Sequence, residues 1–259
     1  MLHSRRRGSP GSLASNPLTA SLLRFARNAG GRDFAVGDIH GCFSHLRHSL
    51  EAIGFDASVD RLFSVGDLVD RGPESEQVVE WLDLPWFHAI LGNHDFMAFR
   101  AALGSPSVNY LQNWGQWLNR LSESEQRLVG KALAALPLAA EVETAAGIVG
   151  MVHADCPFDD WHDMRDVQWN EIDLTGWIGD CCLWSIERYT QHYASPVSNV
   201  HAVVHGHMVV RTPEIMGNVH FIDTGGWRLG GYFTFLELET LKPVSGPKAP
   251  SETANRRNP

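Results

Sequence analysis

Six side chains with oxygen or nitrogen donors, Asp38, His40, Asp67, Asn93, His153 and His207, stand just beyond short apolar runs. Phe34-Ala-Val36 leads into Gly37-Asp38-Ile39-His40-Gly41, and Leu62-Phe-Ser-Val65 leads into Gly66-Asp67-Leu68-Val69-Asp70-Arg71-Gly72. His88-Ala-Ile-Leu91 leads into Gly92-Asn93-His94-Asp95, Ile148-Val-Gly-Met-Val152 into His153, and Ala202-Val-Val204 into His205-Gly206-His207. Asp38 and His40 are two positions apart, so in extended chain both side chains point the same way and can share one divalent cation. Asp67 could bridge two cations through its carboxylate oxygens. An oxygen and nitrogen set without thiolate suits Mn, Fe or Zn. Two cations about 3.5–4 Å apart can clamp both oxygens of an in-line displacement and turn a bridging water into hydroxide. A single Asp or His near a turn is ordinarily a cap or a satisfied polar group. Six of them at successive run ends indicate a dinuclear metal centre.

The elements that must position these residues follow from the same pattern. Short apolar runs with β-branched residues predict buried strands. Ser44–Ile53 predicts a helix with Leu46, Leu50 and Ile53 on one face, and Pro73 predicts the first turn of another leading into Val78, Val79 and Leu82. Strand followed by helix, repeated, implies an α/β fold, in which ligands bind beyond the carboxyl ends of the strands. All six side chains, on five runs, fall at that end. Phe96–Leu136 reads as mostly helical, with Leu121, Leu128 and Leu133 as core. Phe221–Gly226 and Thr234–Glu239 read as late strands. Residues 155–188 form an acidic, Trp-rich segment, read as a long loop or cap over the site.

The chain has 259 residues, 44% of them apolar, enough for one large domain with a substantial core. A formal net charge of -9 argues against a broad basic surface for nucleic acid, yet leaves room for a small phosphorylated substrate whose charge metal ions neutralise. No apolar run approaches the ~20 residues of a membrane span. Four cysteines, Cys42, Cys156, Cys181 and Cys182, are too few for a disulfide framework and fit reduced thiols in the cytoplasm. Residues 1–32 carry Arg5, Arg6, Arg7, Arg24, Arg27 and Arg32 but no Asp or Glu, the composition of an organelle transit peptide. The plainer reading is an unstructured leader over Met1–Pro17 followed by a short helix over Leu18–Asn28. The main domain is expected over 32–241, and the Pro- and Ser-rich tail, 242–259, is expected to be disordered.

Gly-Asp-Ile-His-Gly, Gly-Asp-Leu-Val-Asp-Arg-Gly and Gly-Asn-His-Asp, followed by His153 and Gly206-His207, resemble the phosphoprotein phosphatase family of calcineurin-like metallophosphoesterases. The likeness is greatest to the bacterial and phage lambda-type serine/threonine phosphatases, whose His-Ala-Asp-x-Pro-Phe-Asp stretch returns as His153–Asp159. The resemblance implies a β-sandwich flanked by helices that hydrolyses phosphomonoesters in one step, without a phosphoenzyme. It implies that Asp38, His40 and Asp67 hold one metal and that Asp67, Asn93, His153 and His207 hold the second, with Mn the expected ion. It also implies that His94, paired with Asp70, protonates the leaving alkoxide and that Arg71, with Asn93, binds the phosphate. The chemistry of the residues agrees: a serine or threonine alkoxide leaves poorly without a proton donor, and a guanidinium fork matches two phosphate oxygens.

Two positions depart from the family pattern. Leu91 stands where Arg usually precedes Gly-Asn-His, and Ile186 stands two residues after Trp184, where a second phosphate-binding Arg is usual. Arg188, two residues further on, is the candidate substitute. Leu91-Gly-Asn-His-Asp95 is similar instead to the symmetrical diadenosine tetraphosphatases, whereas Asp70 in Val-Asp-Arg-Gly points back to the phosphatases. The expected substrate is therefore a phosphorylated protein or a small phosphoester. The alternatives are a dinucleoside polyphosphate hydrolase and a metal-binding regulatory protein with little catalysis.

Overall fold

The computed structural model describes residues 21–249. Two sheets pack face to face. One runs in the order β1 (Leu22–Phe25), β5 (Ala139–Thr144), β6 (Gly147–Val152), β7 (Ala202–His205), β9 (Val219–Phe221) and β8 (Glu214–Met216). The other runs β11 (Lys242–Lys248), β10 (Tyr232–Glu237), β2 (Asp33–Val36), β3 (Arg61–Ser64) and β4 (Phe87–Ala89). The expected sandwich with flanking helices is what the chain forms.

Period-two burial makes the sandwich. Ala35, Phe63, Ile90, Val142, Val149, Met151, Ala202, Val204 and Leu236 fill the space between the sheets. Their neighbours Phe34, Val36, Leu62 and Val203 point outward into a second apolar cluster shared with helices. That outer layer includes α1 (Phe43–Ala52), α2 (Val78–Leu82), α3 (Asn93–Ala102), α4 (Val108–Asn113) and α5 (Glu123–Ala134). The acidic 155–188 segment contributes α6 (Trp161–Asp166) and α7 (Trp177–Trp184), and α8 (Glu187–Thr190) follows them. Trp161, Met164, Cys182 and Leu183 are buried there, so this segment is a packed layer rather than an open loop.

β2, β3 and β4 are parallel to one another, as are β6 and β7. Val36 lies opposite Ser64, and Met151 opposite Val204, so the polar residues that follow each strand emerge at matching levels.

Several elements differ from the sequence reading. Leu22–Phe25, expected within a helix, is a strand that pairs in parallel with Ala139–Val142, where alternate residues meet a sheet edge. Lys242–Lys248, expected to begin the disordered tail, pairs antiparallel with β10 despite Pro243 and Pro247; it is an edge strand, where proline is tolerated. Residues 1–20 and 250–259, and with them the leader and most of the tail, lie outside the described residues. α2 begins at Val78 after a short 3-10 turn over Ser75–Gln77, not at Pro73. Leu133 is buried and Leu121 packs against the core, but Leu128 is exposed because it faces away from α3 on α5. No helix of the described residues is long and apolar enough to cross a membrane.

Candidate active site

The strand ends bring all six predicted ligands together. His40 Nε2 lies 3.8 Å from Asp38 Oδ2 and 3.5 Å from Asp67 Oδ2. On the other side of Asp67, Oδ1 lies 3.5 Å from His153 Nε2. Asn93 Oδ1 is 3.0 Å from His153 Nε2, 3.2 Å from His207 Nδ1 and 3.2 Å from Asp67 Oδ2. Two groupings of donor atoms within 4.8 Å share Asp67: His40, Asp67 and His94 on one side, and Asp67, His153 and His207 on the other. Asp67 is the one residue common to both groupings.

Tight turns, rather than extended chain, aim these groups. His40, Asp67, Asp70, Arg71 and His207 all adopt positive φ, between 46° and 73°. Non-glycine residues rarely take that conformation, and each costs on the order of 1 kcal/mol or more unless the surroundings hold it. Here backbone bonds hold it. The Ile39 and His40 amides both donate to the Asp67 carbonyl, at 3.0 and 2.8 Å. The His94 amide donates to Asp67 Oδ1 at 2.8 Å, and the His207 amide donates to Asp38 Oδ1 at 3.0 Å. Gly92 and Gly206 are required by close approach, because a Cβ at either would collide with the carboxylate oxygen of Asp67 or Asp38. Asp95 accepts from the Leu68, Val69 and Gly92 amides and so ties the start of α3 to the turn after β3.

The tautomers can be read from the partners. His40 Nδ1 lies 2.9 Å from the Val69 carbonyl and His153 Nδ1 lies 2.8 Å from the Val65 carbonyl. A carbonyl only accepts, so each Nδ1 carries the proton and each Nε2 presents a lone pair to the cluster. Burial holds His40 and His153 well below the usual histidine range and pushes His207 down to about 4. Burial also lifts Asp67 to about 6, and burial with the neighbouring Asp223 and Asp67 carboxylates lifts Asp38 well above its usual range. The result is neutral imidazoles and crowded carboxylates, with acceptor atoms facing acceptor atoms at 3.0–3.5 Å. That arrangement is repulsive unless cations sit among the donors, so the residues fit a pair of divalent ions.

Beside this cluster is a second device. His94 Nδ1 lies 2.7 Å from Asp70 Oδ2, and Asp70 Oδ1 accepts from Tyr110 Oη at 2.9 Å and Trp117 Nε1 at 2.7 Å. Asp70 is fully buried, so these three donors fix it as an acceptor and fix the His94 ring in turn. His94 Nε2 is left 3.2 Å from Arg71 Nη2. The Arg71 guanidinium is braced between two indoles, 4.8 Å from the Trp114 ring centre and 4.4 Å from that of Trp227.

These are the marks of a site that transfers or cleaves phosphate, and a family model described as calcineurin-like phosphoesterase matches residues 34–211. The chain belongs to that family. It is thus a metal-dependent phosphoesterase, a hydrolase. Serine/threonine-protein phosphatase 1 of Salmonella typhimurium is 35% identical over 210 residues, spanning 80% of this chain and 91% of that protein. A symmetrical bis(5'-nucleosyl)-tetraphosphatase of Methylococcus capsulatus is 37% identical, but over 94 residues that span 36% of this chain and 34% of that one. Among solved structures, a protein serine/threonine phosphatase from Saccharomyces cerevisiae superposes with a TM-score of 0.62 at 14% identity, covering 92% of this chain and 85% of that chain, a likeness of fold.

Arg188 does not join this phosphoesterase site. It is buried, with Nε 3.3 Å from Asp155 Oδ1 and Nη1 donating to the Tyr193 and Ser195 carbonyls at 3.0 and 2.9 Å. Leu91 is buried in the outer apolar cluster, its amide donating to the Pro137 carbonyl at 2.8 Å. His205, on the strand end beside His207, turns away from the candidate ligands toward the Val152 carbonyl, 2.7 Å from Nδ1. Sequence reasoning missed Tyr110, Trp114, Trp117 and Trp227. The Trp114 to Trp117 spacing, about one helical turn, was a usable signal for a shared face.

Proposed function

We propose that this phosphoesterase hydrolyses phosphoserine and phosphothreonine esters of proteins and works with manganese in the cytoplasm. The observation that carries the reading is His94 held on Asp70, itself fixed by Tyr110 and Trp117, beside the acceptor cluster. Two divalent cations would supply positive charge for the phosphoryl oxygens and lower the pKa of water. His94, oriented through Nδ1, presents Nε2 to the cavity as a proton donor once that nitrogen is protonated. An alkoxide leaving group needs such a donor, whereas a phosphate leaving from a polyphosphate is already a stable anion. Arg71, stiffened by two indoles, offers a planar fork to the phosphoryl group.

A cleft of about 590 Å³ adjoins the metal cavity, sharing Arg71 and Trp227 with it and lined further by Asn113, Trp114, Gln116 and Arg120. It gives a peptide room beside the phosphorylated residue. A larger cavity of about 940 Å³ between α3, α5 and residues 170–175 contains none of the ligands and plays no part in the reading. Four free cysteines support the cytoplasmic placement. Leu91, shared with the tetraphosphatase pattern, and the partial likeness to the Methylococcus capsulatus enzyme support dinucleotide cleavage as the second reading.

The test sets Mn-loaded protein against a phosphoserine peptide and diadenosine tetraphosphate side by side. Faster phosphate release from the peptide is expected. Preferential cleavage of the dinucleotide would overturn the proposal in favour of the second reading.

A further inference from the structure

The metal cavity, about 110 Å³, is lined by one charged residue that no part of the site has so far used. Arg228 stands there with Asp38, His40, Arg71, His94 and His207. The segment that carries it is anchored behind the metal ligands: Asp223 is buried next to Asp38, and its Oδ1 accepts from the Gly225 amide at 2.9 Å. Gly225 has φ +69°, and the chain then turns so that the Arg228 amide donates to the Gly225 carbonyl at 2.9 Å. The side chain folds back across the turn. A Cβ at Gly225 would lie 2.8 Å from Arg228 Nε and 2.9 Å from its Cγ, so glycine leaves the space that the arginine stem occupies.

The guanidinium is therefore placed, although the residue is exposed. Its central carbon lies 4.9 Å from the Trp227 ring centre, and the same indole braces Arg71 at 4.4 Å. One ring thus holds two cations at the rim of an anion-binding cavity. Among the described residues, Arg32, Arg61, Arg165 and Arg188 each spend their guanidinium on a carboxylate, at 2.6–3.3 Å. The Arg228 guanidinium has no hydrogen bond or ion pair among the described residues; its amide alone is engaged. A phosphomonoester near neutral pH carries close to two negative charges and three acceptor oxygens, more than one fork can satisfy.

We propose that Arg228 is a second phosphate-binding arginine of this site, acting with Arg71 on the phosphoryl oxygens and replacing the function that Arg188, locked to Asp155, does not perform. The inference rests on the phosphoesterase reading of the cavity but not on the identity of the leaving group.

The experiment is calorimetric titration of inorganic phosphate into the full-length, Mn-loaded protein and its Arg228→Ala and Arg228→Lys variants. Bound Mn is counted in each sample, and KM and kcat are measured on a phosphoserine peptide. Arg228→Ala is expected to keep its Mn and to bind phosphate about tenfold to a hundredfold more weakly, the range for losing a charge-assisted hydrogen bond pair. KM should rise more than kcat falls, and Arg228→Lys should recover part of the loss, because it restores the charge without the fork. Phosphate affinity within twofold of wild type in Arg228→Ala overturns the proposal. Loss of Mn from that variant overturns it too, since Arg228 would then act through Asp223 and Asp38. A wild-type protein that binds phosphate in an Arg228-dependent way yet ignores the peptide sustains the proposal while sinking the protein-substrate reading.

Discussion

Two buried polar clusters lie within two residues of His153, and their charge balance is opposite. On one side, Asp38, His40, Asp67, Asn93, His153 and His207 point carboxylate oxygens, an amide oxygen and nitrogen lone pairs at one another. On the other, Asp155 receives the Arg188 side chain and the amides of Cys156 and Arg188, while Nη1 of Arg188 donates to two carbonyls and its guanidinium stacks on Tyr193. The second cluster is complete in itself. The first is complete only with cations from outside. Both are largely buried, so burial alone does not mark function here; unmatched acceptors do.

The comparison is broken most severely at Asp67. Asp67→Ala removes the shared carboxylate and the acceptor of the His94 amide, so both metals and at least a thousandfold of phosphoesterase activity should be lost. Metal analysis after gel filtration, with turnover on the same sample, checks this; an Asp67→Ala protein with two tightly held ions would show that Asp67 is not shared. His94→Ala sharpens the contrast within the site. It should keep both metals and lose about a hundredfold to a thousandfold of turnover on a phosphoserine peptide, with a smaller loss on an aryl phosphate whose leaving group needs no proton. Equal losses on the two esters would rule out a proton-donor role for His94.

Arg188→Ala attacks the other cluster. It leaves the buried Asp155 carboxylate with its backbone donors but without its cation and should cost about 3–5 kcal/mol of stability, read from denaturant midpoints of metal-free protein. Metal content per folded molecule should not change. A variant of normal stability that binds phosphate poorly would return Arg188 to the active site.

The amino-acid sequence announced the first cluster more clearly than the second, and the reason is physical. Asp38, Asp67, Asn93 and His207 each follow an apolar run and a glycine, because a metal ligand on a strand end needs both a buried strand and close backbone approach. Asp155–Arg188 is a contact across 33 positions with no local pattern, so an arginine in an acidic segment looked free. Tyr110 and Trp117 reach Asp70 across 40 and 47 positions and were likewise invisible. β1 and β11 were missed for a related reason: an edge strand of four residues, or one with two prolines, is specified by its partner more than by its own propensities. The positive φ of His40, Asp67 and His207 had no sequence signal, since Asp and His take that conformation more often than most residues yet only in a small minority of cases.

The smallest effect concerns protons. In the metal-free protein Asp67 titrates at about 6, above its unfolded value of 3.8, so it favours folding most below about pH 4 and loses that contribution as pH rises through 6. His207, lowered to about 4, favours folding above 6.5 and loses that contribution as pH falls through the same window. Between pH 4 and 6 the two slopes therefore oppose each other. Metal affinity has no such opposition, because a cation needs Asp67 ionised, and His207 is already neutral over most of that range. Affinity for Mn should therefore fall about tenfold per pH unit below 6 for each carboxylate proton displaced. Titrations at pH 5, 6 and 7 in buffers of different ionisation enthalpy count those protons directly. Constant affinity with no proton release would mean that the Asp67 carboxylate is already ionised in the metal-free fold, and the electrostatic contrast between the two clusters would be smaller than their geometry implies.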